Sequence, residues 1–170
     1  MRIVLKLPEG VYPKLLAHLL PRHSLREEAA FLYLKTEISD ERLLFDYVGE
    51  ELLSPSDFES QEGDYLELTS EARARLIKRA HDLDACLAEM HSHPGTWPAA
   101  FSMADCVGLK ETVPHMFWRL KNRPYLAIVV AQTGFDALVW VANPQVPASL
   151  AGILAGDQLL RPTNRSLGGW

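Results

Sequence analysis

The chain has 170 residues, 48% of them hydrophobic and 23% charged, with a formal net charge of −5. That length fits one domain able to bury roughly two thirds of its unfolded surface, with the composition of an ordinary soluble globular protein. The acidic balance, without any Lys/Arg-rich block, argues against nucleic acid or an anionic membrane as partner. No apolar stretch approaches the ~18 residues of a spanning helix.

Taken in chain order, the elements alternate between strand and helix. Met1 to Pro8 alternates like a strand and lacks the apolar core and cleavage site of a signal peptide, so a strand is predicted over Arg2–Lys6. Cys86 and Cys106 are too few and too irregular for a disulfide framework, and a reducing cytoplasm is the expected compartment. Val11–Leu20 carries Leu15, Leu16, Leu19 and Leu20 at helical spacing, with Pro13 in the first turn and Pro21 as a stop. Strands follow over Ala29–Lys35 and Arg42–Gly49. Ser54 to Asp64 is polar and acidic (Asp57, Glu59, Glu62, Asp64) and reads as a loop before a short strand near Tyr65–Leu68. Ser70 is placed as the cap of a second helix, with Glu71 in its first turn. Its apolar set Ala72, Leu76, Ile77, Ala80 and Leu83 lies opposite Arg75, Lys78, Arg79 and Asp82.

Residues 85 to 92 read as a buried strand, and a helix is expected from Met103 to about Thr112, ending near Pro114. His115, Phe117 and Trp118 are placed in the core at its end. Tyr125–Ala131 is an apolar strand that turns at Gln132-Thr133-Gly134 into a hairpin partner over Phe135–Val141. The tail beyond Pro147 offers one short helical candidate, Leu150–Leu154, and Gly168-Gly169-Trp170 reads as a disordered end. The order predicts an α/β fold: a mixed β-sheet flanked by helices, with residues 1–147 as the domain and 148–170 packing on it or extending it.

The chemistry concentrates at His91-Ser92-His93-Pro94, followed by Ser102 and Asp105. Alternate strand positions face one way, so His91 and His93 can reach one ion about 2 Å from each nitrogen. Pro94 ends the pairing, the loop through Trp97 and Phe101 turns back, and Ser102 opens a helix with Asp105 one turn inside. Two imidazoles and a carboxylate leave a fourth tetrahedral position for water, the mark of a catalytic rather than a structural zinc. Ser-x-x-Asp at a helix start is also a capping-box pattern. Beside His-x-His-Pro, that cap becomes a second role of the same residues.

Those residues resemble the motif of the JAMM (JAB/MPN-plus) zinc metalloprotease family, over roughly residues 25 to 140. The resemblance implies an MPN-like α/β domain with zinc held at a strand-to-helix junction by His91, His93 and Asp105. It also implies an upstream glutamate as general base. Glu27-Glu28-Ala29-Ala30-Phe31-Leu32 fits the family form with Glu27 in that role and Ala30 replacing the usual Gly. Glu28 is the alternative, in a register that sets Phe31 where the family has a small residue. Ser102 is then the oxyanion donor.

The activity implied is zinc-activated water attack on the amide after a C-terminal glycine, removing or processing a ubiquitin-like protein. Compact bacterial members travel with ubiquitin-like conjugation machinery, including antiviral defence, so the conjugating enzymes are expected partners. Two alternatives stand beside this: trimming of a sulfur-carrier protein or small peptide, and a non-catalytic MPN interaction module. An extended substrate tail is expected to pair with backbone beside the metal strand, and the acidic loop Asp57–Asp64 to meet a basic patch or stay solvated. Trp97 and Phe101 either cover such a tail or anchor their loop. His23 is read as a surface residue, and Cys106 as a small residue packed in a helix.

Overall fold

The central strands are apolar on both faces, and each face is covered. In a computed structural model that describes residues 1–62 and 66–170, β2 (Ala29–Ile38) sends Ala30, Leu32 and Leu34 into one core and Ala29, Phe31 and Tyr33 into the other. Such two-sided burial replaces the alternating pattern of a half-exposed strand with a near-continuous apolar run.

The chain opens with β1 (Arg2–Leu7) and α1 (Val11–Leu19), where Leu15 and Leu19 are fully buried against the first core. β2 then pairs antiparallel with β3 (Arg42–Leu52), with an irregularity after Tyr33 that leaves Val48 outside the register. The stretch predicted as a plain acidic loop is more ordered. A short 3-10 turn over Pro55–Asp57 leads into β4 (Phe58–Gln61), which pairs with β5 (Leu66–Leu68). Phe58 explains the difference, because it is buried in the second core and commits its neighbours to a strand. Asp64 and Tyr65 of the predicted loop and strand lie outside the described residues.

α2 (Ser70–Asp82) is capped by Thr69, whose hydroxyl accepts from the Ala72 N–H, and not by Ser70, which is the first helical residue. Thr69 has the extended backbone a cap requires. β6 (Cys86–Ser92) leads through a loop to α3 (Met103–Arg119), and the chain returns in β7 (Tyr125–Ala131), parallel to β6, and β8 (Gly134–Trp140). α3 runs past Pro114 instead of stopping there. The bond Pro114 cannot donate falls at the exposed Lys110, while Val113, Met116 and Phe117 are buried and hold the helix on. His115 is half-buried, and Trp118, expected in the core, is exposed.

After β9 (Ala148–Ser149) come β10 (Gly152–Ala155) and β11 (Gln158–Leu160), so Leu150–Leu154 is not a helix. β10 runs parallel to β1, with Val4 opposite Gly152 and Leu5 opposite Ile153. The uncovered edge of β1 outweighs a weak helical tendency interrupted by glycine. Gly152 is also sterically required, since a Cβ there falls 2.6 Å from the Leu160 carbonyl oxygen. Trp170 packs its ring 5.2 Å from that of Trp140, so the last residues are not a loose end.

The sheet order is β11-β10-β1-β3-β2-β6-β7-β8-β9. α1 covers one face, α2 and α3 the other. This mixed α/β architecture puts the carboxyl end of β6 in the middle of the sheet, facing the start of α3.

Candidate metal centre

Strand alternation builds half of the site. His91 ends one face of β6, and His93 continues its line because its N–H still bonds the Val130 carbonyl of β7 at 2.8 Å. Ser92, between them, points to the other side and is fully buried. Its N–H donates to the Glu28 carbonyl and its hydroxyl accepts the Glu28 N–H, both at 3.0 Å. This pair of hydrogen bonds brings the entry to β2 alongside the imidazoles. Spacing alone gives Ser92 no role. A buried serine on an apolar strand needs a partner, and that need was its only signal.

The second half comes from a helix start. Ser102 caps α3: its hydroxyl accepts the Asp105 N–H at 3.1 Å, and Asp105 Oδ2 accepts the Ser102 N–H at 2.7 Å. The cap is therefore real, and it aims Asp105 at the imidazoles. Asp105 Oδ1 lies 3.4 Å from His91 Nε2, and Oδ2 lies 3.2 Å from His93 Nε2. The two Nε2 atoms are 3.2 Å apart.

Glu27, only 4% exposed, places Oε1 3.4 Å from His93 Nε2. Glu28 is turned away, its carboxylate held by Arg26 at 3.3 Å and Gln61 at 2.9 Å. Gln61 also donates to the Glu27 carbonyl at 2.9 Å, so β4 steadies both glutamates. Gln61 lies in a stretch whose polar and acidic composition predicts a loop.

These separations can be set against a metal. Ligands about 2.0–2.1 Å from a tetrahedral ion stand about 3.3–3.4 Å from one another. The imidazole–imidazole distance of 3.2 Å falls close to that edge length, and Asp105 meets the two rings with different oxygens, Oδ1 at His91 and Oδ2 at His93. Glu27, His91 and His93 also form a group whose ligand atoms lie within 4.8 Å of one another and that could hold a metal ion. The donor chemistry, imidazole nitrogen with carboxylate oxygen, suits zinc among several divalent ions.

The imidazoles and carboxylates of the site shift one another. Burial pushes the Asp105 carboxyl up, but hydrogen bonds from His91 and His93 overcome it and hold Asp105 well below the ordinary carboxylate range. Burial pushes His91 down, and Asp105 with the nearby Glu27 and Glu89 overcomes that and raises it. The pocket calls for positive charge among its carboxylates, which a proton or a cation can supply.

Beside His91 opens a cavity of about 250 Å³ between α3 and the β4–β5 hairpin, lined by Phe31, Phe58, Leu68, Leu109 and the polar Glu89 and Arg73. Glu89 accepts a hydrogen bond from the Tyr125 hydroxyl at 2.5 Å, and burial raises its pKa. Phe101 is 8% exposed with its ring 5.8 Å from that of His91, whereas Trp97 is 82% exposed. Phe101 therefore anchors the loop, and Trp97 does not. His23 is exposed. Burial and the charge of Asp105 raise the Cys106 thiol, which removes any mark of a thiolate nucleophile.

Two expectations are corrected. β6 is paired on both sides, by β2 and β7, so a substrate strand has no vacant backbone beside it. Asp57 is not a solvated loop charge, because Arg75 holds it at 2.9 Å and it caps the turn at Ser54. No known protein-family model matches this chain, and no curated protein sequence matches it.

Proposed function

We propose that the chain is a zinc-dependent isopeptidase of the JAMM type that removes or processes a ubiquitin-like protein. The observation that carries this reading is that His91 and His93, with Nε2 atoms 3.2 Å apart, each lie within 3.4 Å of Asp105 at the hydroxyl-capped start of α3, while Glu27 lies 3.4 Å from His93. His91, His93 and Asp105 would hold the ion. Bound zinc supplies a water acidic enough to yield hydroxide near neutral pH and polarises the scissile carbonyl.

Glu27 is buried and oriented next to His93, so it can take the proton of the attacking water and pass it to the leaving amine. Ser102 accepts the Asp105 N–H, which leaves its hydroxyl hydrogen to donate to the oxygen that gains charge. The cavity beside His91 would seat the extended tail. Glycines at the cleavage point let its backbone approach closely. A cytoplasmic place in a bacterial ubiquitin-like conjugation pathway, including antiviral defence, belongs to the same proposal. The MPN-like assignment of the fold does too.

One observation favours a second ligand arrangement. The compact group Glu27, His91 and His93 makes Glu27 a ligand in place of a base. Substitution separates the two. With Glu27 as base, Glu27→Gln keeps zinc affinity and lowers turnover by about 10²–10⁴-fold, while Asp105→Asn loses zinc. With Glu27 as ligand, Glu27→Gln loses zinc as well.

Substrate scope is tested with the zinc-loaded protein on a lysine-linked ubiquitin-like conjugate and on a linear Gly-Gly-extended precursor. Cleavage of the conjugate supports the isopeptidase. Cleavage of the linear tail alone assigns the chain to precursor trimming. Cleavage of neither, by a protein that binds zinc, overturns the hydrolase reading.

A further inference from the structure

We propose that Asp136 and residues 163–166 form a latch that positions the Ser102–Asp105 half of the metal centre. His91 and His93 belong to the middle of the sheet and are fixed by its ladders. Ser102 and Asp105 form the start of α3, where the loop after Pro94 enters the helix. Among the described residues, the hydrogen bonds made by residues 94–101 go to the C-terminal segment: Thr163 Oγ1 donates to the Ala99 carbonyl at 2.6 Å, and the Phe101 N–H donates to Ser166 Oγ at 2.8 Å.

The C-terminal segment is held in turn by one carboxylate. Asp136 in β8 is 1% exposed. Its Oδ1 accepts the Asn164 N–H at 3.0 Å, and its Oδ2 accepts the N–H groups of Arg165 at 3.0 Å and Ser166 at 2.9 Å. The left-handed backbone of Asn164, at φ 54°, folds these successive donors toward one side, a conformation asparagine tolerates better than most residues. Ser166 Oγ donates to Asp136 Oδ2 at 2.7 Å. The Thr163 N–H adds a bond of 2.9 Å to the Phe135 carbonyl.

A relay therefore runs from the Asp136 carboxylate through the Ser166 hydroxyl to the Phe101 amide, the residue before the α3 cap. Ser166 uses both capacities of its hydroxyl, donating inward and accepting from the loop. Phe101 packs on His91 at one end and leads into Ser102 at the other. Loosening the relay shifts Ser102 and Asp105 together while the imidazoles stay in place. Asp136 and Ser166 touch no reacting group, so both are positioning residues.

Ser166→Ala is the test, because it cuts the relay and leaves the backbone bonds of Asp136 intact. Hydrogen–deuterium exchange of the metal-free protein should show the amides of Phe101 to Asp105 exchanging up to about 10-fold faster, the worth of one hydrogen bond, with β6 and α1 unchanged. Zinc affinity by competitive titration should fall about 10–100-fold, as for other groups that orient metal ligands. Ser166→Thr, which keeps the hydroxyl, should restore both.

Unchanged exchange at Phe101 to Asp105 overturns the latch. Protection lost evenly across the sheet also overturns it, by assigning Ser166 to general stability. Asp136→Asn, if it folds, should give a larger effect at the same amides. The affinity measurement rests on the metal centre proposed above and the exchange measurement does not, so wild-type protein without zinc affinity would remove that centre while the latch is still decided.

Discussion

His91 and Asp105 illustrate how the site is paid for at the level of single side chains: burial opposes charge on each, and each supplies the charge that offsets it for the other. Removing one member leaves the other buried without compensation, a loss larger than that of a surface pair. His93→Ala is accordingly expected to lose zinc and any hydrolysis together, as followed by metal content after dialysis and by turnover. Retention of zinc by that variant would exclude His93 as a ligand. The spacing of His91, His93, Ser102 and Asp105 was legible in the sequence, because strand period and helix capping are local rules. The approach of Glu27 was not local. It depends on Ser92 bonding Glu28 and on Gln61 reaching across from β4, neither of which any spacing reveals. Only the family resemblance pointed to Glu27.

Secondary-structure elements are joined by pairs that carry their own pH dependence. Arg75 of α2 bridges Glu51 of β3 at 2.6 Å and Asp57 of the 3-10 turn at 2.9 Å. Burial raises the Asp57 carboxyl, but the Ser54 N–H and Arg75 outweigh it and hold it below its ordinary value of 3.8. A depressed carboxylate stabilises the fold above its unfolded pKa, and that contribution fades as pH falls through the folded value. Melting curves of wild type and Asp57→Asn should therefore differ by a constant amount above about pH 5 and converge in stronger acid. A gap that widens on acidification would contradict this.

At Gly152, the contact with the Leu160 carbonyl makes Gly152→Ala costly, by about 1–3 kcal/mol if it acts like other overpacked sites. Urea denaturation measures that directly. The same region departs from its predicted helix. Leu150 to Leu154 is a five-residue apolar run that suits helix or strand alike, and the open edge of β1 decided it. Pro114 misled in the opposite sense, since three buried apolar neighbours keep α3 going past it.

For the molecule as a whole, a ligand that binds only the native state adds stability by mass action. Zinc at 100 times its dissociation constant should add about 2.7 kcal/mol, which for a chain of this size raises the melting temperature by about 5–10 °C. Scanning calorimetry with and without zinc reads this shift, and it should vanish in His93→Ala. The α/β class and the flanking helices were legible because long apolar runs alternate with amphipathic ones. The order of strands was not, since β1 takes β3 and β10 as neighbours by long-range pairing that leaves no local trace.

That pairing of β1 with β10 has a consequence for biogenesis. Ile3, Val4 and Leu5 are synthesised well before Gly152–Ala155, so one flank of their strand stays uncovered until that segment has been translated. Closing so wide a loop is entropically slow, and a bare strand edge recruits other chains meanwhile. Ribosome-bound fragments halted before Gly152 should be chaperone clients, and emergence of β10 and β11 the moment at which the nascent chain ceases to be one.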